Sequence, residues 1–284
     1  MRVLSDSDWA FWQENGYVIV PNAVPQENLD RLIQVLWEFQ EMNPDDQETW
    51  YREPERLNGM PELNRSGMVE LYHHQALWDN RQHPRVYGAF ADIWGTEQLW
   101  VTIDRANINV PARPDWVFKG FIHWDIDTSL RPLPFEVQGV LSLADTRAEQ
   151  GGLQCVPGFP KRFEEWVQTQ PADRDPWRPD LTDLEVTPLA TKAGDLLIWN
   201  SMLPHGTSQN RSDRPRLAQY ISMFPAKEHD SALREERVRS WRERLPRVGM
   251  AFPGDPRNWE QLHGTTAELT TLGQKLLGLK SWGK

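Results

Sequence analysis

Cysteine is almost absent from this chain. Cys155 stands alone among 284 residues, which excludes an internal disulfide and any zinc site built from thiolates. A basic block is missing too: 31 lysines and arginines face 41 aspartates and glutamates, for a net charge of −10. Neither a phosphate backbone nor an anionic lipid surface would find a complementary patch, so nucleic acid and membrane are not expected as partners. No stretch reaches the roughly 18 consecutive apolar residues that cross a bilayer. The opening "MRVLSDSDWAFWQENG" lacks the apolar run of a secretory signal. There is no internal repeat and no low-complexity tract. These absences predict a soluble cytoplasmic protein, monomer or homodimer, whose partner is a small molecule.

Tryptophan is plentiful, at 15 residues, which suits a large core or an aromatic-lined pocket. Ser5 and Asp8 read as a capping box for a helix carrying Trp9 and Trp12 and stopping at Gly16. "YVIV" reads as a strand, and Pro25 opens a helix with Leu29, Leu32, Ile33, Leu36 and Phe39 at helical spacing. Residues 43–66 read as a long surface loop, and His83 to Gly95 as a short helix. From Glu97 to Phe224 the pattern changes to short β-branched and aromatic runs: "LWVTIDRANINV", "FIHWD", "EVQGVLSLADT", "GGLQCVP", "GDLLIWNSMLPH" and "RLAQYISMF". Strands punctuated by Pro, Gly and Asp, without helices between them, predict an antiparallel sandwich or barrel. In "HDSALREERVRSWRERL", Leu233, Val238, Trp241 and Leu245 would dock a helix on the core, followed by a second helix in "ELTTLGQKLLGLKSW". The expected organisation is one domain over 1–284: helices in 5–96, a β-core in about 97–225 and a helical extension in 229–284.

In a strand alternate side chains share a face, so His123 and Asp125 in "FIHWDID" point one way and Ile122, Trp124 and Ile126 the other. An imidazole and a carboxylate on one face can supply two ligands to one metal. Taken alone, the triplet is a weak signal. For a third ligand, His73, His74, His83, His229 and His263 read as surface or capping residues. His205 differs, because it ends the apolar strand "AGDLLIWNSMLP" and is placed to line a pocket. Two histidines and one carboxylate with open positions form the facial triad of non-haem Fe(II) oxygenases.

Five stretches in order resemble the phytanoyl-CoA dioxygenase family of Fe(II)/2-oxoglutarate oxygenases, over roughly Asp8 to Pro225: "ENGYVIVPNAVPQENLDRL", "HWD", "GGLQCVPGF", "GDLLIWNSMLPHG" and "NRSDRPRLA". The resemblance implies a double-stranded β-helix (a cupin-like jelly roll, mainly β with flanking helices) that uses Fe(II), 2-oxoglutarate and O2. It implies His123, Asp125 and His205 as iron ligands. It also implies that Arg216, eleven residues after His205, binds the distal carboxylate of 2-oxoglutarate, assisted by Thr207. A planar guanidinium suits that carboxylate, and Arg214, before Pro215 in a turn, is the weaker candidate. Arg105, Asn107 and Asn109 alternate on one strand, and Gln138 heads a neighbouring one, so these four are expected to line the co-substrate or substrate end or to serve as wall residues. Two departures stand out: Trp124 where many members carry glutamine, and "PGF" followed by Pro160 and Lys161 in place of "PGSH".

The implied reaction is hydroxylation of an unactivated C–H bond of a small organic metabolite, with release of succinate and CO2. Halogenases of this kind lack the carboxylate, so Asp125 favours hydroxylation, desaturation or ring formation. Trp116, Phe118, Phe121, Phe135 and Trp199 are candidate lining residues, and 43–66, 111–120 and 168–182 candidate specificity loops. Asp127 matches no ligand position and reads as a loop carboxylate or one backing the ligands. The alternatives are a cupin-like metalloenzyme independent of 2-oxoglutarate, and a catalytically silent metal-binding scaffold.

Overall fold

The computed structural model describes residues 3–51, 65–246 and 252–283. Helix α1 (Asp6–Asn15) starts on the expected capping box: the Ser5 hydroxyl accepts from the Asp8 N–H, and the Asp8 carboxylate accepts from the Ser5 N–H. Gly16, at φ 78°, ends it in the left-handed region and feeds β1 (Tyr17–Val20). Helix α2 (Gln26–Gln40) buries Leu29, Leu32, Leu36 and Phe39 and leaves Ile33 half-buried. A turn of 3-10 helix (Gln47–Tyr51) lies in the expected long loop, of which residues 52–64 fall outside the described residues. Two helices follow, α3 (Gln75–Arg81) and α4 (Pro84–Trp94), the first of them unexpected. His74 and His83 cap their N-termini, each ring accepting a backbone N–H. His73 departs from its expected place on the surface or at a cap. It is fully buried, because the C-terminal segment covers it: its Nε2 lies 3.0 Å from Ser240 Oγ and 2.9 Å from the Leu245 carbonyl.

The β-core comprises β2 (Met68–Val69), β3 (Leu99–Val101), β4 (Ala106–Asn109), β5 (Val137–Ser142), β6 (Leu153–Cys155), β7 (Thr187–Pro188), β8 (Leu196–Asn200), β9 (His205–Thr207), β10 (Arg216–Tyr220) and β11 (Met223–Pro225). A six-stranded sheet runs β1-β8-β5-β10-β4-β2, a three-stranded sheet runs β7-β6-β9, and β11 pairs with β3. Every pairing is antiparallel. The two-residue period of a strand separates two cores on β8. Leu196 and Ile198 join the helix-side core with residues of α2 and α4, whereas Leu197 and Trp199 pack with Leu153 and Cys155 of β6 between the sheets. Two facing antiparallel sheets with helices outside them are the jelly-roll, cupin-like arrangement expected from the sequence.

A third apolar cluster surrounds Trp124 and includes Phe159 and Phe163 of α5 (Phe159–Gln168), a helix the strand pattern had hidden. The tail forms α6 (Ser231–Glu243), α7 (Trp259–His263) and α8 (Thr271–Leu277). Val238 and Trp241 pack on the helix-side core as expected. Buried Arg237 adds to the docking by donating to the carbonyls of Val101, Leu276 and Leu277, which are already polar and need partners in the interior. No helix among the described residues is long and apolar enough to cross a membrane.

Candidate metal centre

The stretch "FIHWDID" is not a regular strand. It forms a single bridge, at His123, and bends at Asp125 and Ile126; the His123 N–H donates to the His205 carbonyl (2.9 Å) while the His205 N–H donates back (3.1 Å). The expected alternation nevertheless holds at Trp124 and Ile126, which turn away into the cluster with Phe159 and Phe163. Trp124 is pinned there by donating from Nε1 to the Met202 carbonyl (3.1 Å) and from its backbone to the Trp177 carbonyl. Asp127 caps a turn by accepting from the Ser129 N–H and hydroxyl, so it is a loop carboxylate.

His205 reaches the same place from the other side. After β8 a turn closes on Asn200, whose Oδ1 accepts from the Met202 N–H and whose carbonyl accepts from the Leu203 N–H. His205 then pairs with Cys155 on β6 and with His123 opposite. Gly206 permits this approach: a Cβ there would stand 1.8 Å from the Phe121 carbonyl oxygen.

Ligand atoms of His123, Asp125 and His205 all lie within 4.8 Å of one another. His123 Nε2 is 3.2 Å from Asp125 Oδ1, and His205 Nε2 is 3.3 Å from Asp125 Oδ2. His205 Nδ1 lies 2.9 Å from the Leu203 carbonyl, which can only accept, so Nδ1 carries a proton and Nε2 is the nitrogen turned to Asp125. Burial alone would raise the Asp125 carboxyl, but hydrogen bonds from His123 and His205, and their charge, outweigh it and hold it well below the usual carboxylate range. The donor set of two imidazoles and one carboxylate fits Fe(II).

Arg216 sits on β10, where Ala218 belongs to the core between the sheets, so its side chain shares that inward face. It is 3% exposed, donates from Nη1 to Asn107 Oδ1 (3.0 Å), and has the Tyr220 hydroxyl at 3.4 Å. No carboxylate among the described residues lies within ion-pair distance of it, so a buried cation is left to neutral partners. Arg214, by contrast, is exposed. Asn107 and Asn109 are buried opposite Ala218 and Arg216. Asn107 also donates to the Ser66 carbonyl and Asn109 to that of Gly151. Thr207, on β9, is half-buried opposite Leu153.

Other expectations shift. Gln138 reaches the clustered carboxylate, donating from Nε2 to Asp125 Oδ2 (2.7 Å). Arg105 turns to the tail, pairing with Glu70 (2.7 Å) and lying over the Phe252 ring. Phe121 stands 4.7 Å from the His123 ring and is 51% exposed, Phe118 packs on Phe121, and Trp199 lies 5.0 Å from the His205 ring. Phe135 packs edge-on against Trp94 of α4, and Trp116 against Tyr51. Tyr220 had not been singled out, although its four-residue distance from Arg216 on one strand already places it on the same face.

A jelly roll with a two-histidine, one-carboxylate cluster at its mouth is the arrangement of non-haem iron oxygenases. The comparisons give the family. The Phytanoyl-CoA dioxygenase (PhyH) profile matches residues 12–218, and the chain belongs to that family. By class it is an Fe(II)/2-oxoglutarate-dependent dioxygenase. It is 29% identical over 249 residues to "Ava biosynthesis cluster protein O" of Aspergillus versicolor, covering 77% of each chain. Its fold resembles that of the epimerase SnoN, solved with Fe3+, alpha ketoglutarate and nogalamycin RO (18% identity, TM-score 0.54, 78% of this chain and 83% of that one). It also resembles a putative oxidoreductase from Salmonella typhimurium LT2 (17% identity, TM-score 0.69, 97% of this chain and 83% of that one).

Proposed function

We propose that the protein hydroxylates an unactivated C–H bond of a small organic metabolite, converting 2-oxoglutarate and dioxygen to succinate and CO2. The observation that carries this reading is the convergence of His123, Asp125 and His205 from segments some eighty residues apart onto one point. In this reading these three hold Fe(II), which when bound supplies the redox centre for dioxygen reduction. Arg216 takes the distal carboxylate of 2-oxoglutarate as the anion its buried guanidinium lacks, with Asn107 fixing the fork from behind. Thr207, two residues from His205, adds a hydroxyl near that end. Phe121 and Trp199 supply apolar surface beside the two histidines, which limits water at the reacting centre.

The 1–284 chain works in this proposal as one domain, as a monomer or homodimer in a cytoplasmic, reducing compartment. The buried free thiol of Cys155 is compatible with that location. The test is a screen of small metabolites for substrate-stimulated succinate formation with Fe(II) and oxygen. His123→Ala and His205→Ala should each abolish it, and either variant turning over like the parent would refute the ligand assignment.

A further inference from the structure

Asp125 is the least enclosed of the three clustered residues, with 41% of its side chain exposed, yet its orientation is fixed from outside the triad. The fixing group is the Gln138 amide, committed at both ends. Trp199 Nε1 is a donor only, so it draws Gln138 Oε1 toward the indole (3.0 Å), and the amide NH2 is left facing Asp125 Oδ2 (2.7 Å). Gln138 and Trp199 lie directly opposite each other in the β5–β8 register, so two paired strands set the direction of the amide. The same indole stands 5.0 Å from the His205 ring.

We propose that Gln138, oriented by Trp199, is a positioning residue of the metal centre. Its amide occupies Asp125 Oδ2 and so presents Oδ1, the oxygen beside His123 Nε2, to the ion. The inference rests on the reading of His123, Asp125 and His205 as ligands. An amide suits the task because it donates to the carboxylate without adding charge, whereas a lysine or arginine here would offset the negative charge that the dication needs. Trp199 acts only through Gln138 in this respect, since its N–H is spent on the amide.

The test is titration of the metal-free protein with Co(II), followed by visible absorption, on the parent, Gln138→Leu, Trp199→Phe and the double variant. His123→Ala serves as the ligand control, and thermal midpoints report folding. Gln138→Leu should weaken Co(II) binding on the order of 10- to 100-fold and alter the ligand-field bands, as losses of groups backing a metal ligand do. Trp199→Phe keeps a ring against His205 but removes the N–H, and should give a smaller loss with a band change in the same direction. The double variant should bind no more weakly than Gln138→Leu, because the two residues act in series. Parent-like affinity and spectrum in Gln138→Leu would overturn the proposal, and so would losses that simply add in the double variant. If Gln138→Leu does not fold, a parent-like spectrum and affinity in Trp199→Phe overturns it as well. A parent that binds Co(II) no better than His123→Ala does sinks the metal-centre reading itself, and this inference with it.

Discussion

Replacing Arg216 probes the co-substrate end of the site. The residue is 3% exposed, its Nη1 donates to Asn107 Oδ1 at 3.0 Å, and among the described residues it meets no carboxylate. If the distal carboxylate of 2-oxoglutarate completes its pairing, Arg216→Ala removes two charge-assisted hydrogen bonds. After competition from water these amount to about 3 kcal/mol, which is on the order of a hundredfold in the KM for 2-oxoglutarate. Arg216→Lys keeps the charge and loses the fork, so its penalty should be smaller, about tenfold. Folding stability should move little, because two effects oppose each other. Removing an uncompensated buried cation is favourable, while leaving Asn107 Oδ1 without its donor costs about 1–3 kcal/mol. The assay is the 2-oxoglutarate dependence of succinate release, with calorimetric titration of 2-oxoglutarate into Co(II)-loaded protein as a turnover-free check. A KM within a factor of about three of the parent for Arg216→Ala would refute the assignment.

Two further perturbations test what supports the site. Glu260 is buried and accepts from the N–H groups of Tyr72 and His73, and burial pushes its carboxyl up to about 7 despite those bonds and the charge of Arg81. A folded-state value above the unfolded one means that the protonated form stabilises the fold. The contribution is complete below the unfolded value and fades as pH rises through about 7, by about 3 kcal/mol in all. Denaturant unfolding between pH 5 and 8 should therefore show the parent losing stability relative to Glu260→Gln as pH rises. Parallel curves would refute the argument. His73, buried and held down to about 3, contributes in the opposite sense, but equally to both proteins, so the comparison cancels it. Trp124→Ala should cost about 3–5 kcal/mol, the usual price of emptying a buried indole site, and should weaken Co(II) binding by releasing the His123–Asp125 segment. Thermal unfolding and Co(II) titration check both parts, and unchanged metal affinity in a folded Trp124→Ala protein would show that the cluster does not hold the ligands.

Local periodicity was readable wherever one element meets one core. The capping box at Ser5 and Asp8, the buried stripe of α2 and the two-faced pattern of β8 all follow from side chains a few residues apart. The candidate metal ligands stand out for another reason: five motifs in order place His205 and Arg216 beside a His-x-Asp triplet that proves little alone. What escaped were contacts between distant segments. His73 looked like a polar loop residue because the residues that bury it, Ser240 and Leu245, come from the tail.

The two departures from the family pattern, Trp124 and the "PGFP" stretch, form one feature in space. Pro160 sits in the first turn of α5, where its missing N–H costs nothing, and Phe159, Phe163, Trp166 and Val167 recur at helical spacing. The Trp124 ring packs 5.8 Å from Phe159, 6.1 Å from Phe163 and 5.8 Å from Trp166. A glutamine between His123 and Asp125 could not fill that apolar socket, and a helix without those rings would leave the indole without apolar partners. Each departure thus explains the other. The sequence held the helical spacing all along, but only the position of Trp124 in the fold shows what the spacing is for.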